Sequence, residues 1–480
     1  MNKYVVFLIL ILCFSCKESV EKKNKSDVEE QGVSNQKPNV LFIVADDMGW
    51  GDVGYHGSHI RTPVIDSLAS SGLKLDQHYV TPQCTPTRVA FMTGYYPSRL
   101  GDHATKAYNG KVFPEGTTTL ADILKQQGYE TGISGKWHLG SEFKWGPLKH
   151  GFDKAYGLLN GACTQFEHEY KLPNTKTWYR QDAFVDEEGH STDLITNEVL
   201  KWMDAAKKPW FYYVPYTAVH TPIQVKEEWM ATYLDSIFYE DPVKNESYQR
   251  YAAFTSHLDH SIGKLVDKVK EIGQLDNTII VFVSDNGSYE SWSNLSWRGT
   301  KYFAGDVPDS PVLGSNLPYK GYKKEVYEGG MLTPAFVIWN GKIKKGVAKG
   351  IYHAVDWVPT LAHISGYVPG KDMGWDGKNI LPELFGEKNK AESERTLYWK
   401  YPNKYALRHG DYKLIQLGDK QELYNLKQDP YETKNLISTE KDKSDYLNAL
   451  LKQEIEQDSI KRKTFFQYDP EIKYNNLGLN

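Results

Sequence analysis

Asn39-Val40-Leu41-Phe42-Ile43-Val44-Ala45 is an unbroken apolar run rich in branched side chains, and it stops at Asp46-Asp47. A strand with one wet face alternates apolar and polar residues, whereas a run without alternation is the pattern of a parallel strand covered on both faces. Similar runs recur downstream, separated by helix-length amphipathic segments. Thr62 to Gly72 and Thr117 to Gly128 read as helices closed by glycine. Glu130 to Ser134 reads as a strand, Ser191 to Ala206 as a helix, Pro209 to Tyr216 as a strand, Ser247 to Ile272 as a long helix and Asn277 to Ser284 as a strand. Pro334 to Trp339 supplies one more strand and Ala354 to Ser365 a further helix. Alternating strands and helices predict an α/β fold with a large, mostly parallel sheet sandwiched by helices.

Ligands of such sheets bind beyond the strand carboxyl ends. Here the apolar strands release Asp46 and Asp47, Lys136 and His138, His220, and Asp285 and Asn286 at that end. One such residue alone is an ordinary turn or cap residue. Their convergence on one sheet edge is the strongest physical signal in the chain.

From about residue 369 the texture changes. LYWKY, YALRHG, YKLIQLG and QELYNL, between residues 397 and 426, are separated by turn residues and predict a four-stranded antiparallel sheet, with a closing helix at about 441–457. The expected organisation is a signal at 1–16, a flexible tether at 17–37, a catalytic domain at 38–370 and a smaller C-terminal α+β subdomain at 371–480. The length of 480 residues exceeds what one ordinary core holds. The net charge of -4 gives no footprint for nucleic acid.

At the start, Lys3 precedes an apolar run from Tyr4 to Phe14, too short to span a bilayer, which reads as a secretion signal. Ser15-Cys16 resembles a bacterial lipoprotein lipobox, with Cys13 where an aliphatic residue is usual, and implies lipid on Cys16. The expectation is an exported protein, periplasmic or anchored at the outer membrane by lipid alone. Of four cysteines, Cys84 and Cys163 then remain, enough for one disulfide unless Cys84 is catalytic.

Cys84-Thr85-Pro86-Thr87-Arg88 opens a helical run. Proline is tolerated in a first helical turn, so Pro86 sets the helix start at or beside Cys84. Cys84 then meets the unpaired N–H groups and positive dipole end, with Arg88 one turn on along the same face. By itself this is either a thiolate nucleophile or a buried helix cysteine beside an arginine. Asp46, Asp47, Asp285 and Asn286 offer only oxygen, which suits calcium or magnesium rather than zinc. Opposite them stand Arg88, Lys136, His138, His220 and a lysine from the Lys320, Lys323 and Lys324 group. A metal facing several cations describes a pocket for an anionic tetrahedral group, and phosphate and sulfate esters both qualify.

Together, Asp46-Asp47-Met48-Gly49-Trp50-Gly51-Asp52, Cys84-x-Pro86-x-Arg88, Gly135-Lys136-Trp137-His138, His220-x-Pro222, Ser284-Asp285-Asn286-Gly287 and Tyr327-Glu328-Gly329-Gly330 resemble the type I, formylglycine-dependent sulfatases of the alkaline phosphatase superfamily. Glu422-Leu423-Tyr424-Asn425-Leu426 with Asp429-Pro430 is similar to that family's C-terminal signature. The resemblance implies that a separate formylglycine-generating enzyme oxidises Cys84, whose hydrated aldehyde attacks sulfur. It implies one calcium held by Asp46, Asp47, Asp285, Asn286 and the modified Cys84, with Arg88 holding the hydrate and the metal side. Lys136 and Lys323 would grip sulfate oxygens. Lys323 is preferred to Lys324 because it stands five residues before Glu328. His220 would protonate the leaving alcohol, and His138 would act as the base that releases sulfate.

Between Gly287 and Lys323 lies a long segment without regular pattern that carries Trp292, Trp297 and Arg298. Such loops are functional or disordered, so these residues are candidates for substrate binding, or else aromatics that pack the loop down. Gly161 to Tyr170, with Cys163 and His168, is a second candidate wall. The expected substrate is a sulfated glycan. Two other classes stand beside it: a phosphoesterase of the same superfamily, and a non-catalytic surface glycan-binding protein.

Overall fold

Val40, Phe42 and Val44 alternate with Leu41, Ile43 and Ala45 along the strand Asn39–Ala45, and both sets are fully buried. In the computed structural model, which describes residues 37–171, 175–295, 299–303, 307–370, 372–387 and 394–465, the first set faces a core shared with the helices Cys84–Thr93, Leu120–Gln126 and Trp357–Ile364. The second set faces a core shared with Pro63–Ser71, Ser191–Ala205 and Pro242–Glu271. A strand with no wet face is therefore the middle layer of a three-layer sandwich. Truncating a central side chain such as Phe42 to alanine would cost about 3–5 kcal/mol.

The main sheet has ten strands in the order Gly346–Ala348, Leu73–Leu75, Ala335–Trp339, Thr278–Ser284, Asn39–Ala45, Trp210–Pro215, Glu130–Lys136, Lys154–Leu158, Trp178–Arg180 and Ala183–Phe184. Asn39–Ala45 pairs in parallel with Thr278–Ser284 on one side and Trp210–Pro215 on the other, and Glu130–Lys136 continues the parallel block. The edges are mixed: Ala335–Trp339 runs antiparallel to Thr278–Ser284, as does Trp178–Arg180 to Lys154–Leu158. The register sets Ala45 opposite Ser284 and Val44 opposite Pro215, so Asp46, Asp285 and the 216–220 turn leave the sheet side by side.

The second sheet, Thr396–Tyr401, Lys404–His409, Tyr412–Leu417 and Lys420–Asn425, is an antiparallel meander. Trp399 donates its indole N–H to Val80 O at 2.8 Å, and Lys413 forms buried ion pairs with Glu328 at 2.7 Å and Glu432 at 2.8 Å. The Tyr327–Gly330 motif is thus a joint between the two sheets. Gly287 and Gly329 pack backbone to backbone there, and a Cβ on Gly287 would come within 1.9 Å of Gly329 O. The final helix, Lys441–Phe465, is tied down by Arg99, which pairs with Asp458 at 2.6 Å and also with Glu454 and Asp376.

Several elements begin or end away from their expected places. The long helix starts at Pro242, capped by Asp241 Oδ1 accepting from the N–H groups of Val243 and Lys244 at 2.9 and 3.0 Å; its first turn is exposed and carries no apolar face to read. Leu120–Gln126 is shorter than expected, because Thr119 and Asp122 form a capping box two residues after Thr117. The final helix extends to Phe465.

Candidate active site

The helix Cys84–Thr93 begins at Cys84, as Pro86 requires, and ends at Gly94, whose φ of 73° lies in the left-handed region. Every residue of this helix is buried. Arg88 donates from Nε at 3.1 Å and Nη2 at 2.7 Å to Asp285 Oδ2, and from Nη1 to Lys136 O at 2.8 Å. It joins the Cys84 helix to the strand ends that carry Lys136 and Asp285.

Lys136 Nζ lies 2.6 Å from Asp46 Oδ2, and Lys323 Nζ lies 2.6 Å from Asp47 Oδ1. Asp47 Oδ1 also accepts from Asn286 Nδ2 at 2.7 Å, while Asp285 Oδ1 accepts the Asp47 N–H at 3.2 Å. Asp46 Oδ1 and Asn286 Oδ1 are buried and make no hydrogen bond. Burial, reinforced by Asp285, pushes Asp46 up to about 7 despite Lys136 and Arg88. Lys323, with His220 and Lys136, overcomes burial at Asp47 and holds it below the usual carboxylate range. Crowded carboxylates with bare, inward-facing oxygens fit a hard divalent cation. Asp46, Asp47 and His220 also bring ligand atoms within 4.8 Å of one another, so His220 borders this centre.

Burial pushes the Cys84 thiol up, and Lys136 and Lys323 offset this only in part. The free cysteine is therefore a poor thiolate, which weighs against reading it as an unmodified nucleophile. Cys163 is also a free, buried cysteine, placed in the apolar core of the other sheet face, and the two do not pair.

His138, with a φ of 56°, is 3% exposed, and its Nδ1 has no partner. Burial, together with Lys136 and Arg88, holds it well below the histidine range, so the ring is neutral at rest. His220 Nδ1 sits 2.6 Å from Thr221 O, which assigns the proton to that nitrogen and turns Nε2 toward Asp47 Oδ2, 3.6 Å away.

These groups open into a cleft of about 880 Å³, walled by Tyr108, Trp145, Tyr170, Tyr289, Trp292 and Tyr302 among others. Cys84, His138, His220 and Lys323 line it. Trp292, expected from the sequence, lies on this wall; Trp297 and Arg298 fall outside the described residues. Gly161 and Tyr170 line the cleft, but His168 is turned away, stacked on Trp178 at 4.5 Å with Nε2 on Gly189 O at 3.0 Å. Sequence reasoning missed Tyr108 and Tyr289, which lie in irregular segments, and Trp145, which ends the single 3-10 turn Phe143–Trp145; none has a period that marks a facing direction. Lys324, weighed against Lys323 for the sulfate-gripping role, also reaches the cleft.

A family model described as Sulfatase matches residues 38–367, and one described as N-sulphoglucosamine sulphohydrolase, C-terminal, matches residues 320–461. Arylsulfatase J of Mus musculus is 35% identical over 386 residues, covering 77% of this chain and 60% of its own length. N-acetylgalactosamine-6-sulfatase of Mus musculus is 30% identical over 403 residues, covering 79% of this chain and 72% of its own length. The crystal structure of Ps i-CgsB in complex with k-i-k-neocarrahexaose superposes with a TM-score of 0.77 at 28% identity, covering 92% of this chain and 97% of that one. The carboxylate set, the Cys84 helix and the two lysines are thus read on a known scaffold: the chain belongs to the sulfatase family of sulfuric ester hydrolases, with the alkaline phosphatase-like fold.

Proposed function

We propose that this chain hydrolyses sulfate esters on a sulfated oligosaccharide or polysaccharide, with formylglycine made from Cys84 by a formylglycine-generating enzyme and with one calcium ion. The observation that carries the reading is that Cys84 lines the cleft with Lys323 and feels the charge of Lys136, while these two lysines pair with Asp46 and Asp47 and leave Asp46 Oδ1 and Asn286 Oδ1 buried and bare. The complex of Ps i-CgsB with k-i-k-neocarrahexaose supports a glycan as the substrate class.

Asp46, Asp47, Asp285 and Asn286 would hold the calcium, which supplies positive charge to sulfate oxygens. Formylglycine supplies, once hydrated, one hydroxyl to attack sulfur and a second that lets sulfate leave without another external nucleophile. Lys136 and Lys323 supply preorganised positive charge where the oxygens of the transferring group become more negative. His138 has an unpartnered Nδ1 that takes a proton once a bound anion offsets the burial and the neighbouring cations that hold its pKa low. His220 presents Nε2 to the cleft; burial pushes it down to about 3 despite Asp47, so it donates only after gaining a second proton, which a bound anion favours.

A phosphoesterase of this superfamily would typically carry serine or threonine in place of Cys84 and a two-metal aspartate and histidine set. Every expected catalytic position is occupied, which weighs against a binding protein on an inactive scaffold. The N-terminal pattern of Lys3, the run from Tyr4 to Phe14 and Ser15-Cys16 supports export with a lipid anchor as part of the same proposal. The test is sulfate release from sulfated glycans by matured protein, alongside matched phosphate esters and a Cys84→Ala variant. Preference for phosphate esters, or turnover that survives Cys84→Ala, overturns the reading.

A further inference from the structure

Lys324 has a φ of 73° and Lys171 a φ of 59°, the left-handed region that lysine rarely adopts. Non-glycine residues held there mark sites where surrounding structure outweighs local preference. At Lys324 the support is visible. Its N–H donates to Pro82 O at 2.7 Å, two residues before Cys84, and its carbonyl accepts from Lys404 Nζ of the C-terminal sheet at 2.9 Å. The side chain enters the cleft with its ammonium 4.9 Å from the centre of the Tyr289 ring, the same ring that Lys323 approaches at 4.7 Å.

Lys323 pairs with Asp47 at 2.6 Å, whereas Lys324 makes no ion pair within 4.0 Å among the described residues and feels Asp47 only at longer range. Lys171 also lines the cleft, 5.2 Å from the Tyr170 ring and 5.7 Å from the Tyr302 ring, again with no such ion pair among the described residues. Glu142 is the one carboxylate among the described lining residues, and it faces Lys144 at 3.5 Å. Lysines that line a cleft on aromatic faces without an ion pair of their own present positive charge to an anion that enters. The scissile sulfate does not serve here, because Lys136 and Lys323 already flank Cys84.

We propose that Lys324 and Lys171 form a subsite for a second anionic substituent of the glycan, so that the preferred substrate is charged at a position besides the ester that is cleaved. This rests on the sulfatase reading of the cleft. A second sulfate and a carboxylate share the chemistry, and the substrates tested tell them apart.

The experiment measures kcat/KM of matured protein on disaccharides of one length that carry the scissile sulfate alone, that sulfate with a second sulfate, or that sulfate with a uronate carboxylate. Wild type favours one doubly charged substrate over the singly charged one. Lys324→Asn, which tolerates a left-handed backbone, lowers that ratio about tenfold, mainly through KM. Lys171→Asn lowers it too, and Lys324→Arg restores it. Thermal unfolding confirms that the variants are folded. A ratio near one in wild type, or a ratio unmoved in both asparagine variants while sulfate is still released, overturns the subsite alone. No sulfate release from any ester by wild type carrying formylglycine overturns the sulfatase reading and the subsite with it.

Discussion

Arg88 Nη2 lies 2.7 Å from Asp285 Oδ2 with both side chains completely buried, and this pair locks the helix bearing Cys84 to the strand end bearing Asp285. Removing one partner strands the other charge in the interior. Arg88→Ala is expected to lose about 3–5 kcal/mol of stability in urea unfolding. A loss below about 1 kcal/mol, the worth of an exposed pair, would contradict the locking role.

Calcium should stabilise the folded chain through Asp46, Asp47, Asp285 and Asn286. Chelation with EGTA lowers Tm and added calcium restores it, by about 2.7 kcal/mol at one hundred times Kd. Asp46→Ala, which removes the bare Oδ1, abolishes the response. A Tm indifferent to both chelator and calcium would contradict the assignment.

Gly161 packs against the His138 ring so closely that an added Cβ would lie 2.4 Å from Nε2. Gly161→Ala must move the imidazole, and a misplacement of about an ångström costs about 100-fold. The expected change is in kcat, with KM nearly constant. Unchanged kcat would remove His138 from the chemistry.

His78 is fully buried, and its Nε2 accepts the Trp357 indole N–H at 3.0 Å. Burial, with Arg395 nearby, pushes it down from 6.5 to about 3. The unfolded chain therefore binds one more proton than the native one within that window. Stability from this histidine is complete above pH 6.5 and is lost as pH falls toward 3, by up to about 1.4 kcal/mol per unit. His78→Gln keeps an acceptor for Trp357 and makes the acid limb of stability against pH shallower by one proton; an unchanged slope would contradict the neutral assignment.

What the sequence reveals follows from where periodicity and covalent constraint are strong. Asn39–Ala45 is readable because both faces are buried, and the helix start at Cys84 is readable because Pro86 permits little else. The convergence of Asp46, Lys136, His220 and Asp285 follows from the parallel order of their strands. Direction at the sheet edge is not encoded in composition, so Ala335–Trp339 gives no sign of running antiparallel. Tyr289 and Lys171 lie in irregular backbone, and the left-handed conformation of Lys324 is imposed by Pro82 and Lys404, far away in sequence. Glu328 is a motif residue whose work is structural, pairing with Lys413 across the two sheets.

Sulfate release as proposed requires that Cys84 become the nucleophile. The direct measurement is the mass of the tryptic peptide spanning residues 75–88, from protein made in its native host or with a maturation enzyme. The expected result is a loss of about 18 Da at Cys84, the change from thiol to aldehyde that covalent catalysis needs here, in step with the appearance of sulfate release. A peptide that keeps the unmodified thiol while the protein is active would contradict it.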